Sequence, residues 1–248
     1  MVATSLQDER RVLADARRRW GENADPAAIA RWFADNAEVE YLAGCYGAAL
    51  KDAGYARRTA PDPLTTARAL RVIGCVQLER GEADAAIASL QESGRAAETA
   101  LAAADLAFVL AESGRLEQAL ELGRQQLDEP SGWASGRRRR ALIRAGGYEA
   151  SSPLGGDGRE GFGWIQLGLA AAETYNAAAE PARAFEQAEE LIARMREAGV
   201  RGQLGDALLV RLHALDALER REEQAATEQE IRELALCLGS RRLLALLA

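Results

Sequence analysis

Residues Gly156-Asp157-Gly158-Arg159-Glu160-Gly161 spell G-x-G-x-x-G, the spacing with which a dinucleotide fold brings its backbone against a pyrophosphate. That chemistry needs a buried strand before the glycines, and the preceding EASSPLG has no strand pattern. Arg137 to Arg140, with Arg144, form the most basic patch, able in principle to hold phosphate or carboxylate. Aromatic residues for base stacking are absent around it, so it reads as a solvated helix face paired with acidic neighbours. The single histidine, His213 in ALLVRLHALDAL, has no nucleophile or carboxylate at a recognisable catalytic spacing and reads as packed. Cys45, Cys75 and Cys237 are isolated and read as small apolar thiols, not as a zinc site. The acid pairs Glu189-Glu190 and Glu222-Glu223 lie in helical charge runs and read as solvated. On this reading the chain is not an enzyme, and no catalytic, cofactor-binding or metal-binding residue is assigned.

The elements that would position any functional residue are helices. In residues 30–62, ARWFADNAEVEYLAGCYGAALKDAGYARRTAPD, apolar and small residues recur mostly every three or four places. Gly44 supplies a turn at low steric cost, and Pro61 stops the second helix. A helix hairpin of this kind buries one face internally and needs a neighbour for the other. Turn glycines recur at Gly81 and Gly114, with offsets of 81 − 44 = 37 and 114 − 81 = 33. A small residue stands seven places before each (Ala37, Gly74, Ala107) and an alanine five places after (Ala49, Ala86, Ala119).

In these three registers residues 30 to about 130 resemble a run of tetratricopeptide repeats, whose period is about 34. The resemblance implies an all-α fold, a right-handed superhelical solenoid of antiparallel hairpins with about 12–13 helices. One domain, 1–248, is expected. It comprises a capping helix within 1–24, three repeat units over 30–133, an irregular mobile insertion at 134–161, two tetratricopeptide-like hairpins over 162–239, and a C-terminal helix at 240–248. In the family the first helix of each repeat lines a concave groove. Carried onto this sequence, the groove-facing positions are Arg31, Ala34, Glu38 and Tyr41, then Arg68, Arg71, Cys75 and Leu78, then Leu101, Ala104, Phe108 and Ala111. The site expected from them is Arg31, Glu38, Tyr41, Arg68, Arg71, Leu78, Leu101 and Phe108. Its arginines suit an acidic or carboxylate-bearing peptide, or else pair with glutamates on adjacent helices. The Lys/Asn pattern of the family's chaperone-tail clamp is missing.

Composition agrees with closely packed helices: 48% of residues are hydrophobic but only 5% aromatic. A net charge of −7 disfavours a nucleic-acid surface. No signal-peptide pattern opens the sequence and no run is long enough to span a membrane, so a cytoplasmic protein is expected. The expected function is a non-enzymatic scaffold or adaptor that binds a protein or peptide in the groove, with the 146–161 loop gating it. The alternative is a ligand-sensing module similar to the helical-repeat sensor regions of bacterial transcription activators. The apolar SRRLLALLA tail packs on the last hairpin or mediates a homodimer.

Overall fold

A computed structural model describes residues 5–20, 24–125, 131–147 and 161–248. These form thirteen helices and no strand. The first half contains α1 (Leu6–Arg18), α2 (Pro26–Leu42), α3 (Tyr46–Thr59), α4 (Pro63–Glu79), α5 (Ala83–Ala96), α6 (Ala100–Glu112) and α7 (Leu116–Arg124). Then come α8 (Gly132–Arg144), α9 (Gly163–Ala177), α10 (Pro181–Ala198), α11 (Leu204–Ala217), α12 (Arg221–Leu238) and the short α13 (Arg241–Ala245). The helices pack in adjacent pairs, α2 with α3, α4 with α5, α6 with α7, α9 with α10 and α11 with α12. None of the described helices is long and apolar enough to cross a membrane.

Local sequence explains where the helices start. Asp25, Asp62, Thr99 and Ser131 cap α2, α4, α6 and α8, each side chain accepting from a backbone N–H two or three residues on. Pro26 and Pro63 occupy the first helical position, where the missing N–H costs nothing. The second helices α3, α5, α7, α10 and α12 have no such side-chain cap. They leave directly from a tight turn.

That turn is one structure, used at the ends of α2, α4, α6, α8, α9 and α11, and the same closure ends α10 at Gly199 and α12 at Gly239. At Gly44, Gly81, Gly114, Gly146, Ala179 and Glu219 the backbone enters the left-handed region, with φ of 79°, 77°, 77°, 70°, 57° and 57°. In each case the left-handed residue donates its N–H to the carbonyl three places back. The following residue donates to the carbonyl five places before itself, as Cys45 does to Glu40 and Arg220 to Leu215. This is the double-bonded Schellman closure, which satisfies the last carbonyls of the preceding helix. The three glycine turns legible in the sequence are therefore joined by Gly146 and by two turns that lack glycine. The basic stretch expected to open an irregular insertion is α8, and it ends in this same turn. The rest of that insertion, residues 148–160 with all but the last residue of G-x-G-x-x-G, lies outside the described residues, as does most of the expected gating loop.

Beyond neighbour-to-neighbour packing, the last hairpins touch the first. Arg201 and Gly202 both donate backbone N–H groups to the Leu42 carbonyl, at 3.0 and 2.9 Å, and the Tyr46 hydroxyl donates to the Gly202 carbonyl at 3.3 Å. Helix α13 packs on α12 and on α4, with Leu243 buried against Gly205. One hydrophobic cluster accordingly runs from Ala34 and Tyr41 through Trp133 and Trp164 to Leu243. At the crossing of α8 with α9, a Cβ on Gly136 would lie 2.2 Å from the Gln166 carbonyl carbon, so only glycine allows this approach.

Ala179 and Glu219 bear the left-handed penalty of about 1–2 kcal/mol that glycine avoids. Ala179→Gly and Glu219→Gly are each expected to stabilise the fold by about 1 kcal/mol after the unfolded-state entropy of glycine is deducted. Gly136→Ala is expected to destabilise it by about 1–3 kcal/mol through overpacking. Urea or thermal unfolding of the three variants measures both signs.

Candidate functional site

The face expected to be an open groove is occupied by the protein's own charges. Helix α8 is its centre, packed between α6 and α9. Arg137, Arg140 and Arg144 lie three and four residues apart and so share one helical stripe. Their guanidinium carbons lie 4.2, 4.6 and 4.9 Å from the centroid of the fully buried Phe108 ring on α6. Arg242, from α13, lies 5.7 Å from the same centroid. Phe108 is thus surrounded by cations at contact range.

Carboxylates from five helices balance these cations. Arg71 on α4 donates to Glu38 on α2 at 2.6 Å and to Asp105 on α6 at 3.0 Å. Asp105 also lies 3.3 Å from Arg137 and accepts from the Trp133 indole N–H at 3.2 Å. The remaining guanidinium of Arg137 reaches the Tyr41 hydroxyl at 3.4 Å. Arg140, without solvent exposure, donates at 2.9 Å each to Glu173 and Gln166 on α9 and to Asp206 on α11. Arg144 bridges Glu112 and Glu173. Arg242 donates to Glu112 at 2.6 Å, Asp206 at 2.8 Å and Glu79 at 3.2 Å, while the Ser240 hydroxyl donates to Glu79 at 2.8 Å.

Electrostatics follows from this geometry. Burial alone would raise the carboxyls of Asp206, Glu38 and Glu173. The arginines beside them more than reverse it: Arg242 and Arg140 at Asp206, Arg71 and Arg68 at Glu38, Arg140 and Arg144 at Glu173. All three lie below the usual carboxylate range. Glu79 is the exception, raised by burial and by Asp206 nearby, which Arg242 only partly offsets. Burial also pushes up the Cys75 thiol and the Tyr41 and Tyr46 phenols, so these groups stay neutral.

Of the residues expected to line a groove, Arg71, Glu38, Tyr41 and Phe108 meet in this network. Leu78 is buried in a second apolar cluster with Leu90 and Val109. Arg31 is exposed and donates to the Ala27 carbonyl of its own helix at 3.1 Å. Arg68 pairs with Asp35 at 2.6 Å and lies 3.6 Å from Glu38. The arginine cluster is therefore already neutralised by neighbouring acids. The basic stretch on α8 is not a solvated face, since Arg137, Arg139 and Arg140 are all buried.

The network residues missed by sequence reasoning carried a positional signal. Six places before each left-handed turn residue stand Glu38, Cys75, Phe108, Arg140, Glu173 and His213; thirteen places before stand Arg31, Arg68, Leu101, Trp133, Gln166 and Asp206. Counting back from Gly146, Ala179 and Glu219 locates Arg140, Glu173 and Asp206. Arg242 lies outside the six-turn register.

Two cavities open at opposite ends of α8. Trp133 and Arg144 are 144 − 133 = 11 residues apart, about 16 Å at 1.5 Å per residue. Near Trp133 is a crevice of about 480 Å³ between α1, α2, α4, α6 and the start of α9, walled by Val12, Leu13, Leu42, Leu101 and Phe162 and edged by Glu9, Asp35, Glu38 and Arg68. Near Arg144 is a smaller cavity of about 310 Å³. No protein-family model matches the chain, and no curated protein is significantly similar to it.

Removing one member of such a network strands the others as buried charges. Arg242→Ala, which leaves Glu79, Glu112 and Asp206 short of a partner, is expected to cost about 3–5 kcal/mol in chemical denaturation. Three carboxyls are depressed, so their stabilisation is complete above the ordinary carboxylate range of about 4 and is lost as pH falls through their lower folded values. Glu79, being raised, acts with the opposite sign, favouring the fold at low pH and losing that contribution as pH rises through its folded value. Within the network three groups act against one, and the unfolding free energy is expected to fall as pH drops below about 4. Asp206→Asn should flatten that slope in urea titrations at several pH values.

Proposed function

We propose that the chain is a non-enzymatic tetratricopeptide-like scaffold, a solenoid of helix hairpins drawn shut by its buried ion network, that binds a partner peptide at the crevice beside Trp133. The six-fold use of one turn at spacings near the family period supports the repeat reading. The crevice itself carries the binding reading, because it joins an apolar wall to a charged edge accessible from solvent.

The edge also suggests the partner's chemistry. Of the acids at the edge, Asp35 is paired with Arg68 and Glu38 with Arg71, which leaves Glu9 as the unpaired charge among the described residues. Since Arg68 is held by Asp35, the outstanding charge is negative. A peptide with an apolar side chain for the Val12–Leu101 wall and an adjacent lysine or arginine suits this edge better than the acidic peptide expected from the sequence.

Selection of a displayed peptide library against the full chain tests this reading. Enrichment of sequences pairing a basic with an apolar residue is expected. Asp35→Arg and Val12→Asp, both on the exposed rim, should each weaken the selected peptides at least tenfold. Failure to enrich any sequence, or equal binding by both variants, would overturn the crevice as the binding site.

A further inference from the structure

The second cavity, at the Arg144 end of α8, lies apart from the peptide crevice. Its apolar wall is formed by Ile143, Leu209, Val210 and Leu246, contributed by α8, α11 and the residue following α13. Its volume of about 310 Å³ holds about ten water-sized groups at ~30 Å³ each. Leu246 is 45% exposed although it borders this space, which leaves an apolar surface at the mouth.

The polar groups at the cavity are not equally available. Asp206 is buried and spends one oxygen on Arg140 and the other on Arg242. Glu173 directs one oxygen at Arg140 and Arg144, and the other has essentially no accessible surface. Asn176 commits its amide N–H to the Val210 carbonyl at 3.1 Å. Arg144, by contrast, keeps a quarter of its side chain exposed, and its two carboxylate partners each take a different terminal nitrogen of a five-donor fork. His213 stands on the exposed wall with no hydrogen-bond partner among the described residues. Burial, then the nearby Arg144 charge, lowers its pKa, so it is a neutral imidazole with one N–H to donate. The carboxylate oxygens are thus turned into the protein, the Asn176 amide oxygen is left as an acceptor, and Arg144 and His213 are the donors at the opening.

We infer that this cavity binds a small carboxylic acid with an apolar chain, its carboxylate on Arg144 and His213 and its chain against Ile143, Leu209, Val210 and Leu246. With its Nε buried and each terminal nitrogen paired once, Arg144 offers a carboxylate the remaining N–H of its terminal nitrogens, and an apolar cavity of this volume accommodates about eight carbons. The inference is independent of the peptide reading, because it uses no residue of the crevice.

Sodium octanoate, octylamine and octanol, titrated separately into the isotopically labelled full chain and followed by amide chemical shifts, test it. Saturable shifts centred on Ala177, Val210 and His213 are expected with octanoate, at least tenfold tighter than with the amine or the alcohol. Ala177→Trp, on the exposed rim, fills the opening, and His213→Ala removes the imidazole donor without adding a charge beside Arg144. Each should weaken octanoate at least tenfold with an unchanged thermal midpoint. No saturation with octanoate, equal affinity for the three probes, or octanoate binding that both variants leave intact would overturn the assignment. Peptide binding at the crevice is expected to survive both variants, so the two sites fail separately.

Discussion

A guanidinium removed from water must be met by acceptors in every direction it points, and this protein buries several of them together. Each of Arg71, Arg140 and Arg242 is almost wholly covered and bonded to groups from two or more other helices. Desolvation of such ions costs several kcal/mol each and is recovered only with close to complete pairing. Helices α2, α4, α6, α8, α9, α11 and α13 therefore have to converge in one arrangement. A small shift of any one would leave a buried charge without its partner.

That requirement accounts for the closure of the helix array. In an open stack each hairpin would touch only its sequence neighbours. Here Arg242 reaches back to Glu79 and Glu112, and backbone bonds from Arg201 and Gly202 meet Leu42. Phe108 is the apolar counterpart of this network, since four arginines lie within contact range of its ring. Filling the middle in this way leaves cavities at the two ends of α8, one edged by Glu9, Asp35 and Glu38 and the other bordered by Arg144 and His213.

The hairpins were legible because their signals are local. Gly44, Gly81 and Gly114 announce left-handed turns, Asp25-Pro26 and Asp62-Pro63 announce helix starts, and the small residues around the turns announce close packing. Ala179 and Glu219 fall at the turns expected of the two later hairpins, but without glycine nothing marked their left-handed backbone, which the surrounding hydrogen bonds hold in a conformation the side chains disfavour. The basic run on α8 was read as solvated because a single helix cannot reveal which of its charges will meet acids. Glu112, Glu173 and Asp206 lie 29 to 66 residues from the arginines of α8 that they hold.

Sequence alone determined the helices, their pairing and the turn that joins them, since each depends on backbone geometry over a few residues. Only the tertiary structure decided that Arg71, Arg137, Arg140 and Arg242 would be interior ions and that the expected trough would be filled. Whether a charged side chain is solvated or buried depends on partners brought from distant helices, and the balance of desolvation against pairing exists only once those helices have met.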